Sequence, residues 1–139
     1  MFHGIEFSSV GWVFAVLVEY NSEKFIHTSD LCGPMIEDYV NWIIKENPRF
    51  LFVDGPTTYL YGYILNTINL KRCNENMLNI IEKCNSDIIL YDHHPPREKK
   101  FKTHTIIVWE KAKQLGINLY TVAEYLGKQN IVELYKDNS

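Results

Sequence analysis

Long apolar runs, a strong charge of either sign and pairable cysteines are what this sequence lacks. Its longest apolar stretch, Val10 to Val18, falls short of the roughly 20 residues that a membrane-spanning helix needs. Fourteen Lys and Arg against seventeen Asp and Glu leave a net charge of -3, whereas nucleic-acid binders carry a basic footprint. Nucleic acid and membrane are therefore not expected partners. The one basic cluster, Arg97, Lys99, Lys100 and Lys102, reads either as a solvated loop or as a contact for an anionic substrate. Cys32, Cys73 and Cys84 cannot all pair, and they form no C-x-x-C motif. Free thiols suit a reducing compartment, and the start Met1-Phe2-His3-Gly4 has no basic, signal-like character. A soluble, cytoplasmic chain is expected. Missing too are a Gly-rich phosphate loop, a G-x-S-x-G elbow, a Cys–His nucleophile pattern and any internal repeat.

A hydrophobic fraction of 46% over 139 residues is enough to build a core, and residues 1–139 read as a single domain. Val13 to Tyr20 is apolar and partly β-branched, as in a strand buried on both faces. Asn21-Ser22 turns it into a return strand, Lys24 to His27. A helix is expected to open across Asp30 to Pro34, with Ile36, Val40, Ile43 and Ile44 on one face and Asn47-Pro48 as its stop. Phe50 to Val53 is a short strand, and a segment rich in tyrosine (Tyr59, Tyr61, Tyr63) follows it. Asn74 is the expected cap of a second helix whose inward face is Met77, Ile80, Ile81 and Cys84. Ile88 to Tyr91 is a further strand, and Thr105 to Leu115 a third helix closed by Gly116. Thr121 with Glu124, and Asn130 with Glu133, have the spacing that opens two short final helices. Strands alternating with helices indicate an α/β fold with parallel strands joined by crossovers.

Three strand-like segments end in residues that bind metals: the hairpin at Thr28-Ser29-Asp30, the next at Asp54, and the last at Asp92-His93-His94. In open α/β sheets the loops beyond the carboxyl ends of the strands converge, so these groups are expected at one rim. An Asp between strand and helix is more often a cap than a ligand, and Asp54-Gly55-Pro56 also reads as a tight turn. Two adjacent histidines after an Asp, held by Pro95-Pro96, favour a site, because imidazole beside carboxylate suits a borderline metal such as zinc. Asp92 alternatively orients a histidine from behind. His27 and His104 are read as structural. Arg97 meets a phosphate or carboxylate bidentately, or sits at the surface, and the tyrosines line a pocket or a buried helix face.

Taken together, His3-Gly4, Phe25 to Asp30 and Asp92 to Arg97 resemble motifs of the metallo-β-lactamase superfamily. The likeness is nearest to a mainly archaeal branch of uncharacterised predicted hydrolases with similar "TSD", "DGP" and "DHH" segments, here Thr28 to Asp30, Asp54 to Pro56 and Asp92 to His94. The resemblance implies the C-terminal half of an αββα sandwich, a mixed sheet with flanking helices. It also implies a dinuclear centre, with zinc and less readily manganese or iron(II). His3 serves one metal, Asp30 bridges both, and His93 or His94 serves the other. Asp30 and Asp92 take catalytic roles, and Asp54, Tyr59 and Arg97 meet the substrate. The chemistry implied is hydrolysis of an ester, phosphoester or amide, with the metals polarising the scissile bond and acidifying water. The superfamily's H-x-H-x-D-H motif has no counterpart among the five histidines. The expectation is thus an incomplete hydrolase, a truncated or split protein, inactive by itself and completed by an N-terminal half. That half, or a second copy of this chain, is expected to cover the outer sheet face. Two rivals stand beside it. A manganese phosphoesterase of the Asp-His-His class would need an early D-x-D pair, which is missing. A degenerate interaction module would bind no metal.

Overall fold

A computed structural model describes residues 1–135. Its first two strands are β1, Val16–Tyr20, and β2, Glu23–His27, paired antiparallel. Asn21 and Ser22 join them with φ of 50° and 63°, the positive-φ pair of a tight hairpin that matches strand twist. The chain then alternates: α1, Glu37–Glu46; β3, Phe50–Asp54; α2, Thr67–Lys83; β4, Ile88–Asp92; α3, Phe101–His104; α4, Ile106–Leu115; and β5, Leu119–Tyr120. Two single-turn helices follow, α5, Val122–Tyr125, and α6, Ile131–Leu134. Short 3-10 turns at Thr58–Leu60 and Pro95–Arg97 follow β3 and β4. No helix among the described residues is long and apolar enough to cross a membrane.

The strands lie in the sheet in chain order, β1-β2-β3-β4-β5, and every pair after the hairpin is parallel. Right-handed crossovers that always step in one direction put the connecting helices α1, α2 and α4 on the same face. Accordingly Val40 and Ile43 of α1, Met77, Ile80 and Ile81 of α2, and Val108 and Ala112 of α4 share one core with Ile26, Leu51, Val53, Ile89 and Tyr91. The α/β class is as expected, and among the described residues it takes the form of one mixed sheet of five strands with six helices. A second sheet is not found among the described residues.

The other face carries cross-strand rows, Val16–His27–Phe52–Leu90–Tyr120 and Val18–Phe25–Phe50–Ile88. His27 stacks on Phe52 at 4.2 Å, and burial lowers its pKa. Tyr125 meets Phe50 edge-on at 6.2 Å. Toward β1 the face is open: Val18 is 51% exposed and Phe14 87%.

Several expected boundaries need correction. The first strand begins at Val16 rather than Val13 and is not buried on both faces, because it is an edge strand with helices on one side only. The first helix does not open at Asp30–Pro34: left-handed backbone at Ser29, Cys32 and Gly33 (φ 61°, 58° and 100°) excludes it, and α1 starts at Glu37. Asn74 caps nothing. Asn66 accepts from Asn69 N–H at 2.8 Å and starts α2 about two turns earlier, while the buried Asn74 donates to His104 C=O. The 105–115 helix forms as expected and closes on Gly116 in the left-handed region. The Thr121–Glu124 capping box is present, but Asn130 accepts from the Thr121 hydroxyl at 2.7 Å instead of capping α6. Strand β5 was not anticipated, since a pair of residues is too short to show periodicity.

Candidate metal centre

The carboxyl ends of β2, β3 and β4 carry the polar residues to one rim, the usual place for a site in such a sheet. Asp54 ends β3 fully buried, and a buried carboxylate must be met by donors. Its Oδ2 accepts from Cys32 N–H at 2.6 Å and its Oδ1 from His94 N–H at 3.2 Å. His94 Nδ1 lies 2.8 and 2.9 Å from the two oxygens. A carboxylate only accepts, so Nδ1 carries the proton. In the neutral ring the opposite nitrogen, Nε2, offers its lone pair, and it lies 3.5 Å from Asp30 Oδ1. Carboxylates hold metal-binding histidines in this way. Thr28 completes the frame by accepting from Asp54 N–H at 2.9 Å.

Asp30 is the hub. His3 Nε2 lies 3.1 Å from its Oδ1, His94 Nε2 3.5 Å and His93 Nε2 3.7 Å. The N-terminal segment delivers His3 because it is pinned: Met1 bonds to Val13 C=O, Phe2 N–H to the Tyr39 hydroxyl, and Gly4 N–H to Leu31 C=O. Cys32 adds its thiol 3.2 Å from His3 Nε2 and 3.7 Å from Asp30 Oδ1. Burial first, then the charges of Asp54 and Asp30, push this thiol's pKa up to about 12.

The donors fall into two groups that share Asp30: His3, Asp30 and Cys32, and Asp30, Asp54, His93 and His94. A tetrahedron built on bonds of about 2.0–2.3 Å has edges of about 3.3–3.8 Å. The separations of 3.1, 3.2 and 3.7 Å in the first group, and 3.5 and 3.7 Å in the second, lie close to that range. The donor set therefore fits a divalent cation on either side of Asp30. Ser29, Cys32 and His93 all hold positive φ without being glycine, the kind of backbone strain that collects at functional sites.

The remaining expected residues divide. Asp92 stands outside both groups, its Oδ1 accepting from His93 N–H at 2.5 Å and its Oδ2 from Val122 N–H at 2.6 Å. It thus shapes the turn and starts α5, and the carboxylate that orients a histidine is Asp54. Asp54, expected against substrate, is sealed beneath the centre. Tyr59 lies flat beside His94 at 6.1 Å. Arg97 donates to the Tyr59 hydroxyl at 3.3 Å and to His93 C=O at 3.1 Å, so both lie beside the cluster. A cleft of about 570 Å³ opens from His3, Cys32 and His94 between Ile5, Phe7, Met35 and Leu60. His27 and His104 lie outside, His104 beside Glu98 at 3.5 Å. Sequence reasoning missed Cys32, whose signal was its place two residues after Asp30.

A UPF0282 protein of Methanocaldococcus jannaschii is 36% identical over 138 residues, covering 96% of this chain and 42% of the relative. Another from Methanopyrus kandleri is 29% identical over 136 residues, covering 97% and 44%. A third, from Korarchaeum cryptofilum, is 28% identical over 128 residues, covering 92% and 42%. The chain thus spans less than half the length of the curated relatives it matches. No family model and no solved structure matches it. These findings correct the resemblance to the metallo-β-lactamase superfamily: the relatives carry the UPF0282 name, and no metallo-β-lactamase family is indicated. What stands is that the chain is similar to archaeal UPF0282 proteins.

Proposed function

We propose that this chain carries the metal-binding part of a metal-dependent hydrolase of ester, phosphoester or amide bonds, completed by the rest of a longer polypeptide. The observation that carries this reading is the Asp54–His94–Asp30 relay. A buried carboxylate fixes one imidazole nitrogen and aims the other at a second carboxylate with further donors around it. Zinc, or manganese or iron(II) in its place, would polarise the scissile group and acidify water there. The chain's own residues supply the rest. His94 is held in one tautomer, Asp30 serves both sides, and the Arg97 guanidinium stands ready for a phosphate or carboxylate oxygen. The cleft beside them suits the remainder of a small-molecule substrate.

Each side of Asp30 offers few protein donors, and the relatives are more than twice as long. Both features support completion by the remaining polypeptide. So does the outer sheet face, where Val16, Val18 and Tyr20 are 49%, 51% and 76% exposed and form a continuous apolar surface with Phe14. That polypeptide, as a further layer, is the proposed cover. Three free, buried thiols suit a reducing cytoplasm.

The test is calorimetric titration of the 139-residue chain with Zn2+, Mn2+ and Fe2+, followed by assay of nitrophenyl esters and phosphates with the full-length polypeptide. Zinc binding that His94→Ala abolishes, with hydrolysis by the full-length protein, is the expected result. No metal uptake by either form would overturn the reading and leave a non-catalytic interaction module. Gel filtration of the same samples separates cover by the longer polypeptide from cover by a second copy.

A further inference from the structure

We infer that Cys32 is a thiolate ligand, making the His3–Asp30–Cys32 side of the centre a soft, zinc-selecting site distinct from the all-nitrogen-and-oxygen side at His93 and His94. This rests on the metal-dependent reading above and adds to it the division of labour between the two sides. The three thiols of the chain have different surroundings. Cys73 is sealed in an apolar pocket with Met35, Leu65 and Leu70, and the Cys84 thiol turns to Ile43 C=O. Cys32 alone among them faces an imidazole and a carboxylate, at 3.2 and 3.7 Å.

Its position is also constrained from behind. The Asp54 oxygen that accepts from Cys32 N–H at 2.6 Å belongs to the carboxylate that orients His94. Cys32 adopts φ 58° although it has a side chain, and Gly33 follows at φ 100°, packed where a Cβ would lie 2.3 Å from Cys73 Sγ. One buried carboxylate and one strained turn thus aim a thiol from one loop and an imidazole from another at the two sides of Asp30. Cysteine sulfur selects zinc and similar cations, whereas carboxylate and carbonyl oxygen suit magnesium, calcium and manganese. On binding, the thiol releases its proton to solvent and the sulfur donates a lone pair to the cation. No oxidant or reductant takes part.

Cobalt(II) reports the ligand set by its colour. The experiment titrates the full 139-residue chain, wild type and Cys32→Ser, with Co2+ and records visible and near-ultraviolet absorption. Zinc-edge X-ray absorption is recorded on the wild type. The expected result is a near-ultraviolet sulfur-to-cobalt band in the wild type that is lost in C32S while visible ligand-field bands persist from the other side. A sulfur shell at about 2.3 Å in the zinc sample is expected beside nitrogen and oxygen at about 2.0–2.1 Å, and it decides the matter even if C32S fails to fold. Visible bands with no near-ultraviolet band, or a band that survives in C32S, overturn the assignment of Cys32 and leave the metal reading standing. Neither kind of band, with no heat on titration with Co2+ or Zn2+, overturns both.

Discussion

Replacing Asp54 by Asn exchanges one carboxylate oxygen for an NH2 and hardly alters volume. Asp54 accepts three hydrogen bonds, from Cys32 N–H, His94 N–H and His94 Nδ1–H, in a fully buried position. Hydrogen bonds to a charged group contribute about 1.5–3 kcal/mol each. An amide keeps one oxygen and turns an NH2 toward at least one of the three donors. Relief of the desolvated charge offsets part of that loss, leaving about 3 kcal/mol of destabilisation, or roughly 10 °C in Tm for a domain of this size. The second effect falls on the site. If the NH2 faces His94, the ring takes the other tautomer and Nε2 gains a proton where the lone pair stood. Loss of such an orienting carboxylate weakens metal binding by about 10- to 100-fold. Urea unfolding in chelator gives the first number, zinc calorimetry the second, and nitrogen-detected NMR of the His94 ring the tautomer. If the Asp54→Asn protein unfolds at the wild-type midpoint and binds Zn2+ as tightly, the relay is not what positions His94.

Gly33→Ala should cost about 2–4 kcal/mol in urea unfolding, because the turn needs φ 100° and the new methyl meets Cys73 Sγ at 2.3 Å. Gly62→Ala is the control, with φ 84° and nothing within 4 Å, so it should show only the backbone strain of about 1–2 kcal/mol. Arg72 binds Glu37 and Glu6 together, and its hydrogen bond holds the Glu37 carboxyl down to about 2 from its ordinary 4.5. A depressed acid stabilises the fold above its unfolded pKa, and that contribution disappears as pH falls from about 4.5 toward 2. Because both partners are partly exposed, the loss should stay below about 1 kcal/mol. Tm measured against pH should fall less steeply across that window in Arg72→Met than in the wild type.

The strands and helices that could be read from the sequence were those with internal contrast. β3 and β4 are apolar runs between turns, and α4 has both its periodicity and its closing glycine. The start of α2 escaped because Leu70 and Cys73 continue the face of Met77 and Ile80 backward, and a capping asparagine at either 66 or 74 satisfies the local pattern. The open face of β1 was legible only as an outer sheet face awaiting cover, since alternation tells which residues share a face but not what lies against it. For the site, His3, Asp30, His93 and His94 were legible as residue types at the ends of segments. Their division was not. That Asp54 orients while Asp92 starts a helix depends on the amides of Cys32, His94 and Val122, which lie 22 to 40 residues away from the carboxylates they meet.

Strand order has a practical corollary for anyone handling this chain. The turns at Asn21-Ser22, at 47–49, at 84–87 and at 116–118 all precede a parallel strand or join the hairpin, so they gather at the pole opposite the donors. That pole is laced by Arg49 to Glu23 and Asp87, and by Asn85 N–H to the Asn47 side chain. Changes of loop length there should leave the donors in place, because Asp30, Cys32, His93 and His94 follow the opposite ends of β2 and β4, and His3 is held by the pinned N-terminal segment. A fluorophore or surface tether attached between Asn21 and Ser22 would leave the donor rim facing free solution, so immobilised chain should take up metal as the free chain does.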